Sequence, residues 1–299
     1  MSDFTPEEVQ QMLDNLDNFT EAEVTEIEKM VDELDARQKN QVAYDDLIEF
    51  CKRMMPDFIV GKHHRILADM LMDIEKGAKD RACVNIPPRH GKSQLVSIFF
   101  PAWFLGRNPK LKIIQATHNT ELAVRFGRKV RDLIDTPDYH TIFPETGLKA
   151  DDKAAGRWGT SAGGEYFAAG VGAAMTGRGA DLLIIDDPHS EQDALSSTAF
   201  DNAFEWYTSG PRQRLQPGGA IIIVMTRWGM KDLTGQVIKM QGSDTLADEW
   251  EVIEFPAILP SDKPLWPEFW DHDSLVKVKA SLPVAKWNAQ YLQNPTAEE

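Results

Sequence analysis

A short loop at residues 86–93, with the sequence Ile-Pro-Pro-Arg-His-Gly-Lys-Ser, separates two apolar runs and limits the folds open to this chain. The first run, residues 82–86, has the length of a buried strand, and the second, residues 95–105, has that of a helix. A strand, a tight loop ending in Gly-Lys-Ser and a helix form an anion cradle, because backbone N–H groups and the helix dipole face the anion. Lys92 adds a positive charge, and Ser93 supplies a hydroxyl that can hold Mg²⁺.

The loop departs from the full phosphate-binding pattern G-x-x-x-x-G-K-[ST] at its first position, where Ile86 stands in place of glycine. The alternative for this segment alone is a helix that starts at Gly-Lys-Ser and binds no ligand.

Composition restricts the class of protein. At 299 residues and 42% hydrophobic content, the chain can bury one sizeable core with a smaller appendage. No apolar run approaches the roughly 20 residues of a membrane span. Two cysteines, Cys51 and Cys83, are too few for a disulfide framework or a zinc site, which favours a reducing, cytosolic setting.

Acidic residues are concentrated at the N-terminus. The net charge is −15, of which residues 1–40 carry −9 and the remainder −6. This balance argues against a free-standing, high-affinity nucleic-acid binder, but only weakly against DNA as a partner of the main domain. Residues 5–18 and 21–38 have helical periodicity and N-terminal capping signals, which predict an acidic helical hairpin. We therefore expect an N-terminal appendage at residues 1–40 and a main domain at 41–299.

From residue 41 onward, short apolar strands alternate with helices, which predicts a mostly parallel sheet with helices on both faces. The predicted helices cover residues 43–54, 63–77, 121–134, 194–207 and 231–240. The predicted strands cover residues 82–86, 111–116, 182–186, 220–226 and 250–255. A glycine-rich region lies at 156–179, and the segment 260–299, rich in Pro and Trp, is expected to wrap the domain as irregular structure.

Two further strands end in polar residues. The run at 182–185 ends in Asp186 and Asp187, at the edge of an open α/β sheet where ligands bind. In a nucleotide hydrolase the first acid holds Mg²⁺ and the second polarises the attacking water. The run at 221–225 ends in Thr226 and Arg227, which could meet a γ-phosphate, the lytic water or an acid. Solvated acids, and polar residues that cap the next helix, are the structural alternatives.

Three segments together, residues 86–93, 177–188 and 225–228, resemble the ATPase half of the large terminase subunit of tailed bacteriophages. The resemblance extends over about residues 45–295 and includes the closing segment 287–295. It implies a P-loop NTPase of the additional-strand type: a mostly parallel central sheet flanked by helices, with a small N-terminal helical appendage. The order and spacing of the segments make it specific.

The resemblance implies a viral DNA-packaging motor that hydrolyses ATP with Mg²⁺ and moves double-stranded DNA into a preformed capsid. The expected partners are DNA, the portal protein of the procapsid, the small terminase subunit and further copies of the chain in a ring, a pentamer on the capsid. The expected location is the host cytoplasm at the procapsid, with no membrane. The C-terminal nuclease domain of such subunits is expected to be absent here, and nuclease activity with it.

The resemblance also assigns residues. The nucleotide would be bound by Pro88, Arg89, His90, Gly91, Lys92, Ser93, Asp186 and Thr226, and the metal by Ser93 and Asp186. Lys92, Asp187 and Arg89 are the catalytic residues that the resemblance implies, and Arg178 is a further expected catalytic residue on the grounds of its position. Asp187 stands where many relatives carry a catalytic glutamate, Thr226 matches the coupling motif, and Arg89 is the candidate for a phosphate-contacting arginine.

Arg178 lies nine residues before Asp187, at the edge of the glycine-rich region. A flexible backbone there could present this arginine to the site of a neighbouring subunit, as an arginine finger in trans. The alternative is an ion pair with Asp181 or Asp187 in its own subunit.

Two lesser features keep alternatives open. Arg125, Arg128 and Lys129 share a helical face that could contact DNA or a neighbouring subunit, or simply be solvated. His63 and His64 stand where relatives position the adenine base, although buried or helix-starting histidines are commoner.

Two other functions remain. A helicase-like P-loop translocase is the enzymatic alternative, and a capsid or adaptor module without hydrolysis is the other. Retention of the lysine, serine and paired aspartates of the three segments disfavours the second.

Overall fold

The computed structural model describes residues 4–296. The strands are β1 (Arg81–Asn85), β2 (Lys112–Thr117), β3 (Leu148–Ala154), β4 (Arg157–Thr160), β5 (Glu165–Gly170), β6 (Ala180–Asp186), β7 (Leu215–Met225) and β8 (Glu251–Glu254). The helices are α1 (Pro6–Leu13), α2 (Glu21–Asp45), α3 (Leu47–Met54), α4 (Lys62–Glu75), α5 (Lys92–Gln94), α6 (Phe100–Arg107), α7 (Thr120–Ile134), α8 (Pro137–Ile142), α9 (Ser197–Ser209), α10 (Leu233–Ser243), α11 (His272–Ala280) and α12 (Val284–Leu292). A π-helical turn, Leu95–Phe99, joins α5 to α6.

One sheet contains all eight of these strands, in the order β3-β4-β5-β2-β6-β7-β1-β8. The β3–β4 and β4–β5 pairs are antiparallel, and the other five pairs are parallel. Strand β7 lies between β1, which leads into the Gly-Lys-Ser loop, and β6, which ends in the paired aspartates. The predicted fold class, a mostly parallel sheet with an additional strand between these two, is confirmed.

Alternate residues of the central strands enter two separate cores, as expected for a sheet that is covered on both faces. On one face, Val84 and Ile184 pack with the buried side chains of α3, α4, α6, α7 and α8. On the other face, Cys83 and Ile185 pack with those of α9 and α10. Both faces of these strands are therefore dry, which explains their nearly continuous apolar sequences.

Both N-terminal helices form, but the first ends at Leu13 rather than residue 18, and the second is longer than predicted. Thr5 and Thr20 each cap a helix in a reciprocal capping box, with Glu8 and Glu23 respectively. Helix α2 continues past residue 40 to Asp45, and its last turn is docked on the core, where the Trp103 Nε1–H donates to the carbonyls of α2. The division into domains at 40/41 stays a prediction. The first three residues of the predicted appendage, 1–3, and the last three of the predicted main domain, 297–299, lie outside the described residues.

The expectation of irregular structure after residue 260 is wrong, because α11 and α12 form there. Asp271 caps α11 by accepting a hydrogen bond from the backbone N–H of Ser274. Leu275 and Trp287 then pack with Ala257 in a small third core. The abundance of Pro and Trp concealed this helical periodicity. Within residues 4–296, no helix is long and apolar enough to cross a lipid bilayer.

Helix α4 offers a direct test of this packing. Leu67 is fully buried in the first core, whereas its neighbour Ile66 is 51% exposed. Leu67→Ala should lower the free energy of unfolding by about 2–5 kcal/mol, through lost burial and the cavity left behind. Urea denaturation measures the loss, and Ile66→Ala is the matched control, expected to change stability by less than about 1 kcal/mol. Equal losses in the two variants would contradict the placement of this helix.

Candidate nucleotide-binding site

The Gly-Lys-Ser loop leaves β1 with two residues in the left-handed region of backbone space. Arg89 has φ of 61° and Gly91 has φ of 80°. A Cβ atom at position 91 would lie 2.3 Å from His64 Nε2. Glycine is therefore required at this position both by its backbone conformation and by the neighbouring ring.

Ring N–H groups surround the loop backbone. The Nε2 atoms of His63 and His64 lie 2.9 and 3.0 Å from the His90 carbonyl oxygen. The His90 Nδ1 atom lies 2.8 Å from the carbonyl oxygen of Pro88. The Trp270 Nε1–H donates to the Arg89 carbonyl over 3.2 Å. His63 and His64 are thus buried supports of the loop, in line with the structural alternative for these two residues.

Asp186, at the end of β6, is a buried carboxylate with one unpartnered oxygen. The Ser97 hydroxyl donates to its Oδ2 atom over 2.7 Å, and Oδ1 has no hydrogen-bond partner among the described residues. Burial, and then the neighbouring Asp187 carboxylate, raise the pKa of Asp186 to about 6. Opposing these, Lys92 and the hydroxyls of Ser97 and Ser93 favour the charged form.

Lys92 and Asp187 form the ion pair at the centre of the site. The Lys92 Nζ atom lies 2.8 Å from Asp187 Oδ2. Burial alone would lower the pKa of Lys92, but the charges of Asp187 and Asp186 outweigh it, and the pKa is raised. Asp187 has φ of 43°, and its Oδ1 atom accepts a hydrogen bond of 3.0 Å from the Thr226 N–H. The lysine and the second acid of the sequence motifs therefore meet, with both carboxylate oxygens occupied.

Thr226 connects the loop with this carboxylate. Its hydroxyl donates to the carbonyl of Ile86 over 3.0 Å, while its N–H donates to Asp187. Arg227, the next residue, is buried and forms an ion pair of 2.9 Å with Asp232, the N-terminal cap of α10. In the structure, Arg227 therefore pairs with an acid, one of the partners that the sequence suggested.

The other two predicted arginines lie away from the ion pair. The Arg89 side chain is exposed and forms no ion pair within residues 4–296. The Arg178 guanidinium stacks over the Phe167 ring at 3.9 Å, with no ion pair to Asp181 or Asp187 in the described part of the chain. Arg178 precedes β6 whereas Asp186 ends it, and a strand of this length spans about 20 Å. The backbone of Arg178 therefore lies beyond the opposite end of β6 from the carboxylates, and its guanidinium is stacked on β5.

The residues proposed for Mg²⁺ fit such an ion. Mg²⁺ at phosphate sites takes one or two protein oxygens and keeps phosphate and water as its other ligands. The unpartnered Asp186 Oδ1 and the nearby Ser93 hydroxyl supply that number.

Three residues near the site were missed by sequence reasoning. Ser97 stands four residues after Ser93, so helical spacing could have placed it near Asp186. Trp270 contacts the loop, and Gln293 accepts a hydrogen bond of 3.1 Å from the Arg227 N–H. Both residues come from the C-terminal segment, and no local sequence signal links that segment to the loop.

A match to a family model shows which protein family this chain belongs to. The model described as "Terminase large subunit, T4likevirus-type, N-terminal" matches residues 83–262, more than half of the chain. The chain belongs to this terminase family. The helicase-like alternative is therefore not favoured. Comparison with curated proteins gives no match.

The chain is similar to solved structures of large terminases. The large terminase of bacteriophage HK97 aligns with a TM-score of 0.54 at 13% identity, covering 84% of this chain and 55% of that chain. The large terminase ATPase domain of Thermus phage P74-26 aligns with a TM-score of 0.49 at 15% identity, covering 76% and 92%. The large terminase of another thermophilic bacteriophage, in complex with ADP, aligns with a TM-score of 0.41 at 11% identity, covering 74% and 52%. The terminase chain spans about half the length of the HK97 protein, and the likeness to that protein shows the fold.

Buried histidines around the site predict the pH dependence of stability. Burial is the largest cause of a lowered pKa at each of them, with values of about 3 for His64 and about 4 for His90 and His189, and a lowered value for His63. In the unfolded chain these imidazoles bind protons near pH 6.5, whereas in the folded chain they stay neutral. The free energy of unfolding therefore decreases as the pH falls from 6.5 towards 4.

Asp186 acts in the opposite direction, because its raised pKa lets the folded state bind a proton first as the pH falls. Four imidazoles outweigh this one carboxyl, so the urea midpoint should fall steadily between pH 7 and pH 4.5. Urea denaturation at several pH values measures it. A midpoint that is constant or rises over this range would contradict the burial of these rings.

Proposed function

We propose that this chain hydrolyses ATP with Mg²⁺ and that hydrolysis drives double-stranded DNA into a viral procapsid. The observation that supports it most is the meeting of Lys92 with Asp187, next to Asp186, at the carboxyl ends of β1 and β6. Membership of the terminase family supports the role in DNA packaging. The site residues support ATP hydrolysis, because they supply the groups that phosphoryl transfer requires.

The residues have distinct roles in this proposal. The loop N–H groups and Lys92 bind the phosphates, and Ser93 with Asp186 would hold Mg²⁺, which would neutralise charge on the phosphate oxygens. Bound phosphate competes with Asp187 for the Lys92 ammonium. Asp187 is then free to accept a hydrogen bond from the attacking water, and the N–H of Thr226 keeps this carboxylate in place.

Thr226 also carries the proposed coupling between hydrolysis and movement. Because this one residue binds both the Ile86 carbonyl and Asp187, a shift of the carboxylate is transmitted directly to the base of the loop and to the end of β7. Pro88, His90 and Gly91 form the loop, and the exposed Arg89 is free to reach a phosphate.

The proposed partners are double-stranded DNA, the portal protein of the procapsid, the small terminase subunit and further copies of this chain in a pentameric ring, in the host cytoplasm. We also propose that residues 1–40 form an appendage to a main ATPase domain at 41–299, with a C-terminal segment at 260–299. Helix α2, which crosses residue 40 and docks through its last turn, would then be the connection.

Removal of Lys92 tests the site. Lys92→Ala should lower the rate of ATP turnover at least ~100-fold, because the charge that binds the phosphates is lost. Phosphate release under steady-state conditions is the measurement. Lys112→Ala is a matched control, since it removes another lysine that pairs with a carboxylate at 2.9 Å, at the start of β2. Wild-type protein with no turnover at any concentration would support the alternative of an adaptor module.

Arg178 completes a neighbouring subunit's site in this proposal. Its guanidinium is stacked on Phe167 and forms no ion pair with the acids of its own site among residues 4–296, which leaves it available to a neighbouring subunit. Arg178→Ala and Lys92→Ala should each be inactive, and mixing them should restore turnover, because some interfaces then join an intact Arg178 to an intact Lys92. ATPase activity across mixing ratios is the measurement. No recovery at any ratio would count against a role in trans.

A further inference from the structure

Three successive carbonyl groups of the loop each meet a ring nitrogen. The Pro88 carbonyl faces His90 Nδ1 at 2.8 Å, and the Arg89 carbonyl faces Trp270 Nε1 at 3.2 Å. The His90 carbonyl faces the Nε2 atoms of both His63 and His64, at 2.9 and 3.0 Å. Donors from α4 and from the segment before α11 thus bind two of these carbonyls, and His90 binds the third within the loop.

The direction of these hydrogen bonds is fixed by chemistry. A carbonyl oxygen only accepts, so each ring nitrogen that faces one carries the hydrogen. His64 Nδ1 in addition accepts the backbone N–H of Gly61 over 3.0 Å, which leaves its hydrogen on Nε2. His63 and His64 therefore both donate, as neutral rings, to a single oxygen.

Anchored carbonyls determine where the N–H groups point. In a planar trans peptide, the C=O and the N–H point to opposite sides. Fixing the carbonyls of Pro88, Arg89 and His90 therefore turns the N–H groups of Arg89, His90 and Gly91 away from the rings. Within residues 4–296, none of these three N–H groups donates to another protein group. Three free donors in a row form a concave site for an anion.

These hydrogen bonds from outside the loop compensate for the differences between this loop and the usual glycine-rich pattern. Pro87 and Pro88 have no N–H, and the Ile86 N–H already donates to the Met225 carbonyl, so few donors remain. We propose that His63, His64 and Trp270 are positioning residues that hold the remaining loop N–H groups towards the phosphates of the nucleotide. This inference rests on the proposed nucleotide binding, and it assigns the anchoring to residues outside the loop.

Trp270 provides the sharpest test, because it is only partly buried and its ring also stacks with His90 at 5.9 Å. Trp270→Phe keeps an aromatic ring, removes the N–H donor and shortens the ring system. The affinity for MgADP, measured by titration calorimetry, should fall about two- to tenfold, the effect of one net hydrogen bond. Trp206→Phe is the matched control, since Trp206 also donates to a carbonyl, that of Ala173 at 3.4 Å, and should leave the affinity unchanged.

His63 provides an independent test with a rescue. Its Nδ1 atom has no hydrogen-bond partner in the described part of the chain, so Nε2–H is its one polar contact there. His63→Phe should weaken MgADP binding about two- to tenfold, and His63→Gln, whose amide N–H lies near the Nε2 position, should restore most of it. A merely space-filling role would give the opposite order, because phenylalanine resembles the imidazole ring in shape.

The outcomes separate the two proposals. Wild-type protein that binds no MgADP would overturn the proposed function, and this inference with it. Wild-type protein that binds MgADP while Trp270→Phe and His63→Phe bind it equally well would overturn the anchoring alone. Loss of affinity in both variants, with recovery in His63→Gln and no change in Trp206→Phe, is the expected result.

Discussion

The parallel pairing of β1, β7 and β6 brings the candidate site together. In this register Asn85 pairs with Met225, and Val224 pairs with Asp186, so the three strands end side by side. Side chains from positions 92, 186 and 226 therefore meet, although more than 90 residues separate the first two. Because alternate residues of these strands enter two different cores, a slip of one residue would exchange the side chains between the cores, and packing on both faces opposes it.

At this edge of the sheet, the charges of Lys92, Asp186 and Asp187 balance one another. Burial opposes ionisation of Asp186, and Asp187 adds repulsion, while Lys92 compensates both. A buried cation and two acids can share charge in more than one way, which suits a site that must accept a highly charged ligand and release it. The strained backbone of Asp187, with φ of 43°, is held by Thr226 and Lys92, and local strain of this kind is common where function requires it.

The sequence predicts those parts of the site that are local. The apolar strands and the polar residues directly after them predicted β1, β2, β6, β7 and β8, the loop and a site shared by Lys92, Asp186 and Asp187, whereas β3, β4 and β5 were not predicted. It did not predict contacts made by Trp270 or Gln293, because such contacts depend on how α11 and α12 pack, which no short-range pattern encodes. Helical spacing in the segment after Asp271 was present but hidden among prolines and tryptophans, which favour a loop by composition alone.

The C-terminal segment holds both loops of the site. Trp270 binds the Arg89 carbonyl and Gln293 binds the Arg227 N–H, so one segment contacts the loop after β1 and the end of β7. A loop that lacks its first glycine and contains two prolines gains from such external support, since its own N–H groups cannot hold it in place. The unusual loop sequence and the contacts from the C-terminal segment are therefore linked. Packing of that segment fixes the loop conformation, which the sequence of the loop does not fix by itself.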